Sequence, residues 1–360
     1  MKNRCYLAWA TLTFLSACGT KEPVEPPVTF DPTPYTLDYG HFDPPQLPTD
    51  NPLTLAGVQL GRMLFYEKKL SKDGSQSCAD CHQQKDAFTD TRQFSIGVEG
   101  LPGHRHAMSV MNLAWHRHRF FWDGRAATLR EQALMPIEDP LEMNETLPNM
   151  VAKLSADKRY TDQFVRAFGD ATVTAERVGL ALEQFMLTIV SHSSKYDHWE
   201  KGHATLSASE ERGRKLFFGQ FDPSGIEKGA QCFHCHVGHN LTIDDYVNNG
   251  LDSDATMTDA GLQNVTLNPA DRGKFKVPSL RNVALTPPYM HDGRFATLEE
   301  VIEHYNTGVK KSATVDVLMQ VNLQSGGLQL TEQDKADLVA FLKTFTDLDF
   351  VKNPAYGKPD

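Results

Sequence analysis

The chain contains CADCH at residues 78–82 and CFHCH at residues 232–236, two copies of the pattern C-x-x-C-H. This pattern is the attachment signature of a c-type haem, in which two cysteines form thioether links to the haem and the histidine becomes the proximal ligand of the iron. A single copy could arise by chance or form half of a zinc site, but two copies favour two covalently bound haem c groups. The attachment residues are Cys78, Cys81, His82, Cys232, Cys235 and His236. The sequence therefore predicts a di-haem redox protein.

Size, composition and charge predict a globular chain of two domains. The 360 residues are 40% hydrophobic and 23% charged, which is typical of folded proteins. A formal net charge of −10 argues against a nucleic-acid partner. It would suit a basic redox partner, although an acidic surface selected for solubility explains it equally well. Only Cys5 and Cys18 lie outside the haem motifs, so we expect no disulfide in the body of the chain.

Residues 1–17 predict a signal peptide of the lipoprotein type. Lys2 and Arg4 precede an apolar stretch that is too short to span a membrane comfortably. The tetrapeptide at residues 15–18, LSAC, resembles the bacterial lipobox, in which Cys18 would carry the lipid. The alternative is an ordinary signal peptide in which Cys18 is incidental. Because Gly19 follows, we expect a periplasm-facing lipoprotein in the outer membrane of a Gram-negative bacterium, held by its lipid anchor only.

Four landmarks recur in the same order in the two halves of the chain. They are LGRMLFY and RGRKLFF at residues 60–66 and 212–218, the haem motifs, MNLA and RNVA at 111–114 and 281–284, and DGRAATL and DGRFATL at 123–129 and 292–298. Such repetition indicates duplication of a domain. Apolar spacing and capping patterns predict helices near the start of each half, at residues 178–190 and at 331–345, and no strand pattern is sustained.

The predicted fold class is therefore mostly α, with two tandem cytochrome c-like haem domains related by internal duplication. After the signal peptide we expect a proline-rich tether at residues 18–50, which favours extended conformations. An N-terminal haem domain then occupies residues 51–200, and a C-terminal haem domain occupies residues 201–350.

The chain resembles the bacterial di-haem cytochrome c peroxidases and their MauG-type relatives. The resemblance rests on the two haem motifs, on FWDGR at residues 121–125 and on LRNVALTPPY at residues 280–289, and it extends from about residue 50 to residue 346. It implies that His82 holds the peroxidatic haem of the N-terminal domain and that His236 holds the electron-transfer haem of the C-terminal domain. In an electron carrier, protein ligands occupy both faces of each haem iron, whereas a peroxidase leaves one face of an iron without a protein ligand so that peroxide can bind.

The resemblance also implies four catalytic residues. Trp122 would lie between the two haems and shorten the electron path. Glu142 would be the distal carboxylate, able to move a proton between the two peroxide oxygens if partial burial raises its pKa. Gln132 would orient peroxide or water, and the positive charge of Arg105 would stabilise the departing hydroxide. Without the resemblance, Trp122 would be interpreted as a core aromatic residue and the other three as surface residues.

Two positions depart from the pattern of ordinary di-haem peroxidases. Many of those enzymes carry a histidine shortly after Ser-Ile-Gly that caps the first iron until the second is reduced, whereas this chain has Val98 there. We therefore expect an iron that is open without reductive activation. At the second iron, Tyr305 takes the place of the usual methionine, as in MauG-type proteins, and a phenolate would give that haem a low potential. Met290 is the rival ligand.

Further metal sites are suggested less directly. The resemblance implies a calcium ion near Thr286 and Pro288, although the asparagine that the family also uses is His106 here. The H-x-H spacing of a histidine-rich run suggests a different metal site: His104, His106, His116 and His118. Neighbouring arginines would repel a cation from that run, so pocket or surface histidines are the simpler interpretation.

Three functions follow as hypotheses. The leading hypothesis is a peroxidase that reduces hydrogen peroxide to water with electrons from a cytochrome c or similar periplasmic donor, which enter at the C-terminal haem and are used at the N-terminal haem. The second is a MauG-like oxidase that uses peroxide to modify a side chain of a partner protein, and Val98 and Tyr305 favour it. The third is an electron carrier, which Val98 argues against.

Overall fold

A computed structural model describes residues 27–224 and 228–359, and within them the chain is mostly helical. The α-helices are α1 (Leu55–Phe65), α2 (Cys78–Cys81), α3 (Leu129–Glu138), α4 (Leu147–Ser155), α5 (Lys158–Phe168), α6 (Ala175–Leu187), α7 (Lys195–Glu200), α8 (Ala208–Phe218), α9 (Gln263–Thr266), α10 (Leu298–Glu303), α11 (Val317–Gln324) and α12 (Glu332–Lys343). Short 3-10 turns lie at Lys68–Leu70, Gln84–Asp86, Leu113–Trp115, Cys232–His234, Pro269–Asp271, Val283–Leu285 and Phe350–Lys352. Strands β1 (Tyr246–Val247) and β2 (Phe275–Lys276) pair antiparallel, with Tyr246 opposite Lys276. None of the helices in these two ranges is long and apolar enough to cross a membrane.

Local sequence explains where the principal helices begin. Ser207 and Thr331 each accept a hydrogen bond from the third residue of the helix, whose acidic side chain accepts one in return from the cap backbone. These reciprocal bonds satisfy amide groups that the helix itself leaves free. The predicted helices at the start of each half, at residues 178–190 and at 331–345, are confirmed as α1, α8, α6 and α12.

Two hydrophobic cores organise the molecule. The first joins α1 and α3 to α6, with Phe65 and Phe185 in edge-to-face contact. The second joins α8 to α12, with Phe217 against Phe341. Helix α1 meets α6 at Gly61, and α8 meets α12 at Gly213. A Cβ on either glycine would overlap a carbonyl oxygen of the facing helix.

Apolar residues from both ends of the described chain pack in or against the first core, and the N-terminal segment also contacts the second half through Phe42. Residues 27–50 contain no helix, yet Phe42 is 4% exposed and the Trp115 indole N–H donates to the carbonyl of Asp43. Phe350 and Tyr356 join the first core rather than the second. The described part of the predicted tether therefore lies along the body, because it carries an apolar anchor. The predicted signal peptide and Cys18 lie outside the described residues.

Candidate active site

The two C-x-x-C-H motifs open onto one shared cavity. The cavity has a volume of about 920 Å³, and its wall includes His82 from the first motif and His236 from the second. The motif cysteines form no disulfides among themselves or with other described residues, so their thiols are available for thioether links. The shared cavity brings both predicted haem attachment sites together between the two cores.

The two motif histidines are held in the orientation that an iron ligand requires. His82 Nδ1 lies 3.0 Å from the carbonyl oxygen of Phe88, and His236 Nδ1 lies 3.1 Å from that of Leu241. Because a carbonyl only accepts, each Nδ1 carries the proton and each Nε2 keeps its lone pair. Burial lowers the pKa of both histidines, that of His236 to about 4. Two neutral, oriented imidazoles and four free thiols thus fit two haem c groups.

Glu142 and Gln132 lie together beside the first motif. Both side chains line the shared cavity and a smaller extension of about 60 Å³, which Cys78 and His82 also line. Burial, and to a smaller extent the charge of Asp139, raises the pKa of Glu142 to about 7 against the opposing charge of Arg125. A carboxyl group with this pKa can accept and return a proton near neutral pH.

The loop that contains Val98 supports Glu142 through its backbone. The amide of Val98 donates to the carbonyl oxygen of Glu142 at 2.8 Å. A Cβ on Gly97 would overlap the carbonyl group of Leu141, so only glycine allows the two loops to approach this closely. The backbone of Val98 therefore fixes the loop that carries Glu142. The side chain at this position is a valine, which cannot bind iron.

Trp122 is a buried residue that connects the two halves. It is 9% exposed and lines the cavity that both motifs share. Its indole N–H donates to the carbonyl of His106 at 2.8 Å, and its own carbonyl accepts from the amide of Lys276 at 2.9 Å. These bonds fix the ring in one orientation.

Both predicted ligands for the second iron lie around one amide. Asn249 Nδ2 is 3.3 Å from the phenol oxygen of Tyr305 and 3.5 Å from the sulfur of Met290. Tyr305 lies in a π-helical turn, His304–Gly308, which extends α10, and such turns are common at functional sites. Burial raises the pKa of Tyr305 to about 12. Asn249 was not found by sequence reasoning, because it is 56 residues from Tyr305 in the chain.

The predicted distal arginine has two carboxylate partners. Arg105 bonds to Asp259 at 2.8 and 2.9 Å and to Asp123 at 2.6 Å. These carboxylates compensate its charge, and the pair with Asp259 ties the two halves together. Arg125 stacks on Phe121, with its guanidinium carbon 3.5 Å from the ring centroid, and is the cation that lowers the pKa of Glu142. Arg125 belongs to the FWDGR motif, but the motif itself does not indicate that this arginine affects Glu142.

The histidine-rich run is not gathered around a common point. His116 Nδ1 lies 2.8 Å from Asp244, while the ring of His106 lies between the Thr89 hydroxyl and the Arg92 carbonyl, each at 3.2 Å. No grouping of three or more metal-binding side chains in residues 27–224 and 228–359 includes any of the four histidines.

The predicted calcium position lacks an acidic ligand among its named residues. The hydroxyl of Thr286 donates to the Val283 carbonyl at 3.2 Å, and the position of the family's asparagine holds the imidazole of His106. Calcium prefers oxygen ligands, including carboxylates. These three residues do not by themselves make a calcium site, and the calcium ion stays a prediction.

Comparisons with known proteins identify the family. The model of the family described as di-haem cytochrome c peroxidase matches residues 55–205. The chain is 34% identical to the methylamine utilization protein MauG of Methylophilus methylotrophus over 299 residues, which cover 82% of this chain and 84% of the relative. It is 36% identical to the cytochrome c551 peroxidase of Nitrosomonas europaea, over 80% of this chain and 79% of that protein. Among solved structures, a MauG-like protein associated with microbial copper homeostasis matches 90% of this chain and 99% of its own, with a TM-score of 0.81 and 36% identity.

Proposed function

The chain belongs to the di-haem cytochrome c peroxidase and MauG family and is an oxidoreductase of the cytochrome c peroxidase type, and on that premise we propose that it reduces hydrogen peroxide to water. The observation that carries this proposal is the position of Glu142, a carboxyl group with a pKa of about 7 in the cavity beside His82. Val98, at the position where many related peroxidases carry an iron-capping histidine, cannot bind iron.

Two haem c groups would supply the iron and the redox chemistry, one held by Cys78, Cys81 and His82 and the other by Cys232, Cys235 and His236. The reaction consumes one peroxide, two electrons and two protons and forms two waters. The Glu142 carboxylate takes the proton from one peroxide oxygen and returns it to the other as the O–O bond breaks. Gln132 hydrogen-bonds to peroxide or water in the same space. The positive charge of Arg125 favours the departing hydroxide. The predicted role of Arg105 is weakened, because Asp123 and Asp259 already compensate its charge.

Electrons enter at the side of His236 and pass close to Trp122. Its ring is immobilised in the cavity that both motifs line, so it offers an aromatic route between the two centres. The net charge of −10 suits a basic donor such as a cytochrome c or a similar periplasmic protein.

Tyr305 would hold the second iron on the side opposite His236 in this proposal. It occupies the family's ligand position by register, whereas Met290, which also lies beside Asn249, does not. A phenolate ligand stabilises ferric iron and lowers the potential, which makes this haem a poorer acceptor from a high-potential cytochrome.

The second candidate function is therefore a MauG-like oxidase that uses peroxide to modify a side chain of a partner protein. Val98 and Tyr305 favour it, since they leave the first iron open before reduction and keep the second at low potential. Both functions use Glu142 and Gln132 in the same way and differ in where the electrons originate.

Three further proposals concern the molecule as a whole. We infer that the two halves arose by duplication, because α1 meets α6 at Gly61 as α8 meets α12 at Gly213. We also infer a periplasm-facing lipoprotein, which mass spectrometry of Cys18 in the purified protein would test. Chelation followed by metal analysis would test the predicted calcium ion near Thr286 and Pro288.

One experiment separates the functions. Absorbance and electron paramagnetic resonance spectra of the oxidised protein are recorded, and peroxide is added without prior reduction. We expect a high-spin haem that reacts at once. A protein that is entirely low-spin and ignores peroxide would exclude both enzymatic functions and leave the electron carrier. Steady turnover with reduced cytochrome c would then support the peroxidase, and its absence would favour the oxidase.

A further inference from the structure

Three side chains from distant parts of the chain meet outside the active-site cavity. His41 comes from the N-terminal segment, Glu200 ends helix α7, and His239 follows the second haem motif by three residues. Their potential ligand atoms all lie within 4.8 Å of one another, and none of the three lines the shared cavity. The site is therefore separate from the machinery described above.

The imidazole of His41 has unused binding capacity. Both of its ring nitrogens are buried, and neither has a hydrogen-bond partner. Its Nε2 lies 3.6 Å from a carboxylate oxygen of Glu200, which is too long for a hydrogen bond. Buried polar atoms without partners are uncommon and call for an explanation. Burial also lowers the pKa of His41, which favours the neutral ring with a free lone pair.

An ion pair with Asp197 does not explain this arrangement. Asp197 also lies 3.6 Å from His41 Nε2. Its two carboxylate oxygens, however, accept from the Arg281 guanidinium at 2.7 and 2.9 Å and from the Ser194 hydroxyl at 2.7 Å. Asp197 is already satisfied, and Glu200 is the carboxylate that remains beside His41.

The rings of the cluster are positioned by Phe42. Phe42 stacks on His239, with ring centroids 5.2 Å apart, and packs edge-on against Trp115 at 5.3 Å. The guanidinium of Arg281 lies on Phe42 at 4.3 Å and donates to the carbonyl of His239 at 2.6 Å. Burial of Phe42 thus brings His41 to the loop that carries His239.

We propose that His41, Glu200 and His239 bind a divalent transition-metal cation of the Zn²⁺ class. Two imidazole nitrogens and one carboxylate are the donor set that Zn²⁺ accepts, whereas Ca²⁺ and Mg²⁺ prefer oxygen ligands only. Three protein ligands leave a fourth position for water. The ion would fasten the N-terminal segment to α7 and to the loop after the second haem motif.

The test is a titration of the complete di-haem protein, without a histidine tag and freed of loosely bound metal with a chelator. Zn²⁺ is added in a calorimeter, and the metal content is measured after dialysis. We expect one equivalent of Zn²⁺ per chain, unaffected by excess Ca²⁺. His41→Gln, Glu200→Gln and His239→Gln should each weaken binding by at least about tenfold, since even loss of an outer-shell partner costs that much. His203→Gln is the matched control, because His203 is exposed and lies three residues from Glu200.

Haem absorbance and circular dichroism verify that each variant is folded. A wild-type protein that binds no Zn²⁺ overturns the proposal, as does binding that all three cluster variants retain at wild-type affinity. Binding lost equally in His203→Gln would indicate unspecific surface histidines and would overturn it as well. Since peroxide reactivity is not measured, the outcome is independent of the proposed peroxidase function.

Discussion

Replacement of Glu142 by glutamine is the most direct test of the proposed proton transfer. The carboxyl group has a pKa of about 7 instead of 4.5. Below this pKa the ionised fraction falls about tenfold for each pH unit. If Glu142 accepts the first proton from peroxide, the rate of reaction of the oxidised protein with peroxide rises about tenfold per pH unit from pH 5 to 7 and levels off above.

The glutamine variant should lose both the rate and its pH dependence. General acid–base catalysis by one side chain contributes about 10²- to 10⁴-fold, and we expect a loss in this range at pH 7. The variant should nevertheless be stable. The folded wild type holds the proton of Glu142 more tightly than the unfolded chain does. The free energy of unfolding of the wild type therefore falls by about 3 kcal/mol as the pH rises from 4.5 to 7. The amide of the glutamine variant does not ionise, so burying it carries no penalty for a buried charge at high pH. The variant should therefore be at least as stable as the wild type at pH 8.

Stopped-flow absorbance of the haem bands after mixing with peroxide measures these rates. Glu138→Gln is the matched control, because Glu138 is an exposed acid at the end of α3. It should retain the wild-type rate and pH profile. A Glu142→Gln protein that reacts within about twofold of the wild type, with the same pH profile, would refute the assignment of proton transfer to this residue.

Three further predictions concern the second haem and the packing. Tyr305→Met should raise the reduction potential of the second haem, because a methionine ligand raises haem potentials; an unchanged potential in a redox titration would mean that Tyr305 is not the ligand. Asp197→Asn should destabilise the protein by about 3–5 kcal/mol in urea unfolding, because it leaves the buried Arg281 charge without its partner; a loss below about 1 kcal/mol would contradict this. Gly213→Ala should cost about 1–3 kcal/mol because α12 leaves no room for a Cβ, whereas Gly103→Ala, where the nearest atom is 3.8 Å away, should have little effect.

The sequence predicted those features that depend on neighbouring residues. The haem motifs and the capping boxes at Ser207 and Thr331 are local patterns whose chemistry requires no knowledge of the fold. Helices α6 and α12 followed from apolar spacing for the same reason. The family resemblance supplied Glu142 and Gln132, and the structure gives their environment.

Other features depend on contacts between distant segments. Arg105 meets Asp259 across 154 residues, and Asn249 reaches Tyr305 from another loop. Composition predicted that residues 18–50 form an extended tether, and it could not show that Phe42 would be buried. The cluster around His41 escaped the sequence analysis because each of its members is unremarkable within its own segment.

The loop around Val98 links the proposed open iron to the proposed acid. Gly97 packs on the backbone of the loop that carries Glu142, the amide of Val98 donates to the Glu142 carbonyl at 2.8 Å, and the side chain of Glu99 accepts from Asn144 at 2.7 Å. Three consecutive residues thus fasten the two loops together. A residue that capped the iron and withdrew on reduction would have to break these contacts in each cycle. The loop is thus fixed against the segment that carries Glu142, which is consistent with the proposal that the first centre reacts with peroxide before any electron arrives.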